Sequence, residues 1–484
     1  MNRSKHPSFG IVGGLSALAG ADVFNKLMKT SLAVDGERQR DAILEQHPFP
    51  ESIITGAAGA SQSARKFYVF DMLRSFQERR MDAALLPCFI SQTFLDELKA
   101  ELSLPIVDLL AAIRRHVEKR HPAARRLGVL TSDYVRRDGL FERNFDPAKY
   151  EVVHPRPGLQ NDFLMPAIYG PSGLKSGRLE GDAIILLKRC CRDLVEQGAD
   201  LILPGFTEIP VVLASLGDVG VPVIDCNLAY VQYALDMEFT QAEKIRKVGV
   251  VGGVGPAATV NFLDKIVRNT PARTDQEHIK LVVEQNPQIP DRTANLVADG
   301  ADPTLALYAA CKKLESADAD MIAIPCNTAH AFVERIQPHL RIPIVNMLFE
   351  TIQYIQRHHP EAKEVGLLAT DGTVKSRIYQ EIAEQHGLHL STPDEPYQRR
   401  VMEAIYGASG VKSGFTTGKC EEDLRAALEH LVRDKGATVA ILGCTELPLI
   451  MAQSDDCLVA GRHVAVVDPT EILARKCVEL ARQG

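Results

Sequence analysis

Apolar and polar positions along the chain fall into a repeating rhythm. Short runs rich in Val, Ile and Leu are followed by longer stretches whose apolar residues recur three and four apart. Phe9-Gly10-Ile11-Val12, Leu127-Gly128-Val129-Leu130, Val248-Gly249-Val250-Val251, Met321-Ile322-Ala323-Ile324 and Ala440-Ile441-Leu442 are runs of the first kind. Near-continuous apolar runs closed by Gly or Pro predict strands buried on both faces. The intervening amphipathic stretches predict helices, so the pattern as a whole predicts an α/β protein of parallel sheets flanked by helices.

The rhythm itself occurs twice. Leu86-Pro87-Cys88 matches Ile324-Pro325-Cys326, and Leu127-Gly128-Val129-Leu130-Thr131 matches Val365-Gly366-Leu367-Leu368-Ala369, each at an offset of 238 (326 − 88 and 366 − 128). Ala167-Ile168-Tyr169-Gly170 through Lys175-Ser176-Gly177 returns as Ala404-Ile405-Tyr406-Gly407 through Lys412-Ser413-Gly414. Gly205-Phe206-Thr207-Glu208 returns as Gly443-Cys444-Thr445-Glu446. Ordered matches at a near-constant offset indicate a duplicated domain, with one copy in residues 1–240 and the other in 241–484. The join near 240–246 is too short for a flexible tether, so the halves are expected to pack. Each half divides again into two lobes. In the second half these are expected at 246–347 and 363–460, with the segment around Val466-Val467-Asp468-Pro469-Thr470 returning to the first lobe.

Composition narrows the function classes. A net charge of −7 over 484 residues leaves no basic footprint for nucleic acid. No apolar run is long enough to span a bilayer and no signal peptide opens the chain, so neither a membrane partner nor export is expected. The ten cysteines include no Cys-x-x-Cys pair, which argues against a zinc site and for a reduced, cytoplasmic setting. Cys190 and Cys191 follow the helical stretch Ala183-Ile184-Ile185-Leu186-Leu187 and are expected in a core.

Two cysteines differ from the others in context. Pro325-Cys326-Asn327-Thr328-Ala329-His330 ends an apolar strand and precedes a stretch that reads as a helix, with Asn327 or Thr328 as N-cap. Gly443-Cys444-Thr445-Glu446-Leu447-Pro448 follows the same design. A thiol at a strand's carboxyl end and a helix N-terminus lies where backbone N–H groups favour a thiolate and can hold a carboxylate. One thiol from each lobe suggests a cleft with a base on each side. Asn327, Thr328 and Thr445 are suited to hold an α-carboxylate, and Arg292 offers a bidentate fork for a second one.

These two motifs resemble the cysteine motifs of the cofactor-independent aspartate/glutamate racemase family. Gly252-Gly253-Val254-Gly255-Pro256-Ala257-Ala258-Thr259, Pro290-Asp291-Arg292-Thr293, Gly366-Leu367-Leu368-Ala369-Thr370 and Val411-Lys412-Ser413-Gly414 add to the resemblance, which covers nearly all of residues 246–484. The resemblance implies an isomerase that needs no cofactor or metal and takes a small amino-acid substrate. Cys326 and Cys444 would be its two bases, with Arg292 and Lys412 holding the side-chain carboxylate of aspartate or glutamate. Cys326 would serve the D-enantiomer and Cys444 the L-enantiomer. Family members commonly pair as homodimers, so the duplicated chain is expected to form an internal pseudo-dimer, with a higher oligomer left open. His330 is read as orienting the cysteine loop or packing, Glu446 as a helix cap and Asp468 as support for its loop.

The halves differ where the chemistry would lie. Cys88 is followed by Phe89-Ile90-Ser91-Gln92, Phe206 stands opposite Cys444, Ser52 opposite Arg292, and Lys175 opposite Lys412. Two-base inversion needs both thiols, so residues 1–240 read as a non-catalytic copy kept for packing or regulation. Two rival readings remain. Gly253-Val254-Gly255-Pro256-Ala257-Ala258, with Glu284 after it, resembles a dinucleotide fingerprint and would make the protein an NAD-dependent dehydrogenase. Alternatively, the whole chain is a silent dicarboxylate-binding regulatory protein. Hydantoin racemases, maleate isomerases and arylmalonate decarboxylases share the two-lobed architecture, and retention of both cysteines favours racemisation among them.

Overall fold

The computed structural model describes residues 6–35, 40–49, 58–239 and 246–483. Ser52 and most of the join between the copies lie outside the described residues. The chain divides into two compact units, Met1–Ala242 and Glu243–Gly484.

In the first unit, β1 (Phe9–Val12), β2 (Ala42–Glu45) and β3 (Ala83–Leu85) form a parallel sheet of order β2-β1-β3. β4 (Arg126–Thr131), β5 (Glu151–Val153) and β6 (Leu201–Gly205) form a second parallel sheet of order β5-β4-β6. Helices of alternating polar and apolar faces separate the strands, as the periodicity predicts. Cys190 and Cys191 lie on helix Asp182–Glu196 and are fully buried. Burial pushes both thiols up to about 12, which makes them inert packing groups.

The second unit has the same two-sheet plan with more strands. Its first lobe holds β7 (Val248–Gly252), β8 (Leu281–Gln285), β9 (Met321–Ala323) and β10 (Ile344–Val345), all parallel, in the order β10-β9-β7-β8. Its second lobe holds β11 (Glu364–Ala369), β12 (His389–Ser391), β13 (Val439–Gly443), β14 (Ser454–Val459) and β15 (Arg462–Val467), in the order β12-β11-β13-β15-β14. Only the β14–β15 pair is antiparallel there. β7 and β13 are buried along their whole length, which is why their sequences show no polar alternation.

The C-terminal segment departs from expectation in an instructive way. Val466 and Val467 do not return to the first lobe; they pair with Ala440 and Ile441 of β13 in the second. Ala460 and Gly461, both at positive φ (49° and 75°), close the tight hairpin that keeps β15 there. The following helix, Pro469–Arg482, makes the return instead. Leu473, Ala474, Cys477 and Ala481 pack with Val248, Val250, Phe262 and Met321 of the first lobe. The Leu, Val, Phe and Met side chains among these each contribute about 1.5–3 kcal/mol on burial. Asp468 starts this helix, accepting from Thr470 N at 2.8 Å and pairing with the buried Lys265. It therefore joins the two lobes.

Candidate active site

The carboxyl ends of β9 and β13 deliver the two thiols. Cys326 follows the last residues of the β9 run and Cys444 follows β13 directly. Arg292 opens helix Arg292–Ala298, which Asp291 caps by accepting from Ala294 N at 2.7 Å. Lys412 stands in the single 3₁₀ turn Val411–Ser413. These elements close on a cavity lined by Val254, Arg292, Thr293, Cys326, Asn327, Thr328, Thr370, Tyr406, Lys412, Cys444, Thr445 and Glu446. All seven residues expected at a site from the sequence line it.

The local backbone corrects one expectation. Cys326 is not followed by a capped α-helix. Thr328–Phe332 is a 3₁₀ turn, the α-helix after it spans only Val333–Ile336, and Asn327 makes no capping bond. Likewise only the 3₁₀ turn Leu447–Leu449 follows Cys444, and Glu446 caps nothing. Elements this short align few peptide dipoles. Positive charge at the site therefore comes from side chains.

Those side chains are arranged unequally. Arg292 is almost wholly buried; Nη1 donates to Ile289 O (3.2 Å) and Pro290 O (3.0 Å), and Nη2 to Val254 O (3.0 Å). Burial works to lower its pKa, but Cys326 and Asp291 outweigh burial and raise it. Lys412 Nζ lies 2.6 Å from Glu446 Oε1, while Cys444 Sγ donates to Glu446 Oε2 at 3.1 Å. Burial opposes the Lys412 ammonium, yet the Glu446 carboxylate beside it overcomes burial and holds the lysine charged. The Cys444 pKa also rises, which for a thiol favours the neutral form. Burial first, then the Glu446 carboxylate, raise its pKa well above the ordinary value and keep it a protonated thiol.

Around the thiols the polar groups are tightly held. Tyr379 OH donates to Asn327 Oδ1 at 2.7 Å, while Asn327 Nδ2 and Arg292 Nε, both buried, have no partner among the described residues. Buried donors of this kind are costly until an acceptor meets them. Thr328, Thr293, Thr370 and Thr373 form a hydroxyl cluster that links the first lobe to the second, with Oγ1 contacts of 2.8–3.2 Å. His330 Nε2 accepts from Met347 N (3.1 Å), leaving Nδ1–H to donate to Cys326 O (2.9 Å). Burial lowers its pKa to about 4, so the ring is neutral and clasps the cysteine loop. That is the orienting role read from the sequence.

The sequence reading passed over Glu446 as a cap and did not single out Tyr406 or the threonine cluster. A signal existed. Tyr169, Lys175 and Glu208 recur as Tyr406, Lys412 and Glu446 at matching positions of the repeat, and three polar residues kept together suggest mutual contact. The Gly253–Ala258 loop is likewise engaged in this site. Val254 O anchors Arg292, and a Cβ on Gly255 (φ 143°) would come within 2.4 Å of Glu446 Oε1. Glu284, the acid that the dehydrogenase reading would assign to a ribose, is paired with Lys313 at 2.6 Å. Among the described residues no helix is long and apolar enough to cross a membrane, and no cluster of three or more His, Cys, Asp or Glu could hold a metal ion.

Comparison with known proteins gives a consistent picture. The broad specificity amino-acid racemase RacX of Bacillus subtilis is 27% identical over 237 residues, which are 48% of this chain and 96% of that protein. The glutamate racemase of Limosilactobacillus reuteri is 28% identical over 170 residues, 35% of this chain and 60% of that protein. Among solved structures, the aspartate racemase of Picrophilus torridus is 30% identical with a TM-score of 0.41, over 49% of this chain and 94% of that one. A family model described as Asp/Glu/Hydantoin racemase matches twice, over residues 12–234 and 251–477. Those two matches span nearly the whole length of the duplicated pattern, and the chain accordingly belongs to the Asp/Glu/hydantoin racemase family as a tandem of two of its domains.

Proposed function

We propose that the second unit interconverts the enantiomers of an acidic amino acid, aspartate or glutamate, without a cofactor, using Cys326 and Cys444 as its two bases. The observation that carries this reading is one cavity lined by both thiols, Arg292 and Lys412. Cys326, beside Arg292, removes the α-proton from one face: the C–H bond breaks and an S–H bond forms. The electron pair left on the α-carbon spreads into the α-carboxylate, held by Asn327, Thr328 and Thr445. The Cys444 thiol then gives its proton to the other face, and its S–H bond breaks as the new C–H bond forms. The thiols have exchanged states, and the reverse reaction starts from Cys444. On this assignment Cys326 deprotonates the D-enantiomer and Cys444 the L-enantiomer. The first unit, with Phe206 opposite Cys444, does not racemise.

An anionic substrate is met locally rather than by net charge. Arg292 and Lys412 supply two positive charges, and Glu446 with the Cys326 thiolate that begins the reaction supplies two negative ones, so the selection of a side-chain carboxylate rests on the guanidinium and ammonium that line the cavity. A second reading follows from the Lys412–Glu446 pair at 2.6 Å. A lysine already neutralised by a carboxylate contributes less to selecting a side-chain carboxylate, and neutral amino acids then bind through the α-carboxylate alone.

The test is product chirality after incubation of each L-amino acid with the full chain and no added cofactor. Aspartate or glutamate turning over fastest supports the first reading; equal rates for neutral amino acids support the second. Cys326→Ser and Cys444→Ser should each abolish racemisation. Full activity in either variant removes the two-thiol mechanism.

A further inference from the structure

The first unit retains a cationic cavity that the loss of the second thiol does not explain. Its lining includes Arg65, Cys88, Phe89, Ile90, Lys175, Phe206 and Glu208, two cations against one carboxylate. Arg65 stands on helix Ala58–Glu78, an element unrelated in the repeat to the helix that carries Arg292. Its Nη1 nevertheless lies 3.6 Å from Cys88 Sγ. Both halves thus place a guanidinium against the first thiol, from different parts of the fold. Arg65 is only 3% exposed. Among the described residues it meets the Phe49 ring, 5.1 Å from its centroid, and the thiol, but no carboxylate. A buried guanidinium without an anionic partner is costly to hold and is well placed to receive one.

The rest of the cavity differs in kind from that of the second unit. Phe206 packs edge-to-face on Tyr169 with ring centroids 6.0 Å apart, where Cys444 would stand in the other copy. Phe89 takes the place of Asn327, and Ile90 that of Thr328. Lys175 is engaged by Glu208 at 3.3 Å and by Leu15 O at 3.0 Å. The charge facing Cys88 is therefore that of Arg65; Phe89, Ile90 and Phe206 give the cavity apolar wall, and Ser16, Ser132, Thr207 and the Lys175–Glu208 pair give it polar wall.

We propose that the first unit is a binding site for a small carboxylate carrying an apolar chain, with Arg65 holding the carboxylate and Phe89, Ile90 and Phe206 the chain. The site binds without inverting its ligand, because a phenyl ring occupies the position of the second base. It is separate from the acidic substrate proposed for the second unit and does not depend on that assignment.

The test uses the full chain and a readout local to this cavity: the rate at which iodoacetamide alkylates Cys88, followed by mass spectrometry of its peptide. The probes are 4-methylpentanoate, its neutral analogue 4-methylpentanamide, and succinate. Millimolar 4-methylpentanoate should slow alkylation of Cys88, whereas the amide and succinate should not. Arg65→Met should weaken the protecting affinity roughly tenfold to hundredfold, the effect of losing a charge-assisted hydrogen bond, with racemisation by the second unit unchanged. Equal protection by the amide, better protection by succinate, or unaltered protection in folded Arg65→Met would overturn the proposal. If Arg65→Met fails to fold, the comparison of the three probes on the parent protein decides alone, and absence of protection by 4-methylpentanoate refutes the site.

Discussion

At the scale of single residues, Glu446 bears on the chemistry more than the sequence suggested. Its two oxygens divide between Lys412 and the Cys444 thiol, so one carboxylate both neutralises a cation and keeps an acid protonated. Glu446→Gln removes the charge and keeps the shape. It should lower the Cys444 pKa, moving alkylation of that cysteine to lower pH, and reduce kcat roughly tenfold to hundredfold through a lost charge-assisted bond. Parent-like kinetics and an unmoved alkylation profile would show that Glu446 is only a packing group. His330 yields a stability prediction. Its folded pKa of about 4 lies below the ordinary 6.5 because burial disfavours the charged ring. The unfolded chain therefore binds the extra proton first as pH falls. The histidine's contribution is intact above about pH 6.5 and is lost progressively down to about pH 4, at most ~3 kcal/mol in all. Unfolding free energies of the parent and His330→Leu across that range should converge as pH falls; a constant difference would refute the neutral clasp.

At the scale of elements, the site depends on loops pressed together from both lobes. Gly255 is the clearest case, because it combines a φ of 143° with a close approach to Glu446 from the other lobe. Gly255→Ala meets both the backbone strain and the collision. The variant should fold, lose about 1–3 kcal/mol of stability, and lose most of its turnover as Glu446 is displaced from Cys444. A stable, fully active variant would mean that the loop moves freely without consequence. The threonine cluster and the Lys265–Asp468 pair join the same two lobes elsewhere, so the cleft is fixed at several points by hydrogen bonds as well as by apolar packing.

At the scale of the whole molecule, each copy carries its own cores. Val248, Ile322, Leu367 and Ile441 belong to cores built from residues after 242, and Phe9, Val129 and Leu203 to one built from residues before it. A chain of residues 243–484 should therefore fold cooperatively and racemise by itself. Thermal melting of residues 243–484 and chiral analysis of their product check this; a half that never folds would deny it independence.

What the sequence determined by itself was everything carried by local periodicity and by repetition. The strand–helix alternation, the duplication, and Cys326 and Cys444 at strand ends were legible because a buried parallel strand must be apolar and must end where its sheet ends. The seven site residues could be named because motifs in two lobes of one copy matched one family. Pairing and short-range geometry were decided only in the tertiary structure. Whether Val466 and Val467 joined one lobe or the other depended on a two-residue turn at Ala460 and Gly461, which leaves the apolar pattern unchanged. Whether a helix dipole or a side chain charged the cysteines depended on 3₁₀ turns that share the composition of helix starts. Glu446 looked like a cap because its sequence neighbours allow one. Cys444 is its neighbour in the same turn, but Lys412 comes from a separate element 34 residues earlier, and electrostatic interaction depends on distance in space, which periodicity along the chain does not record.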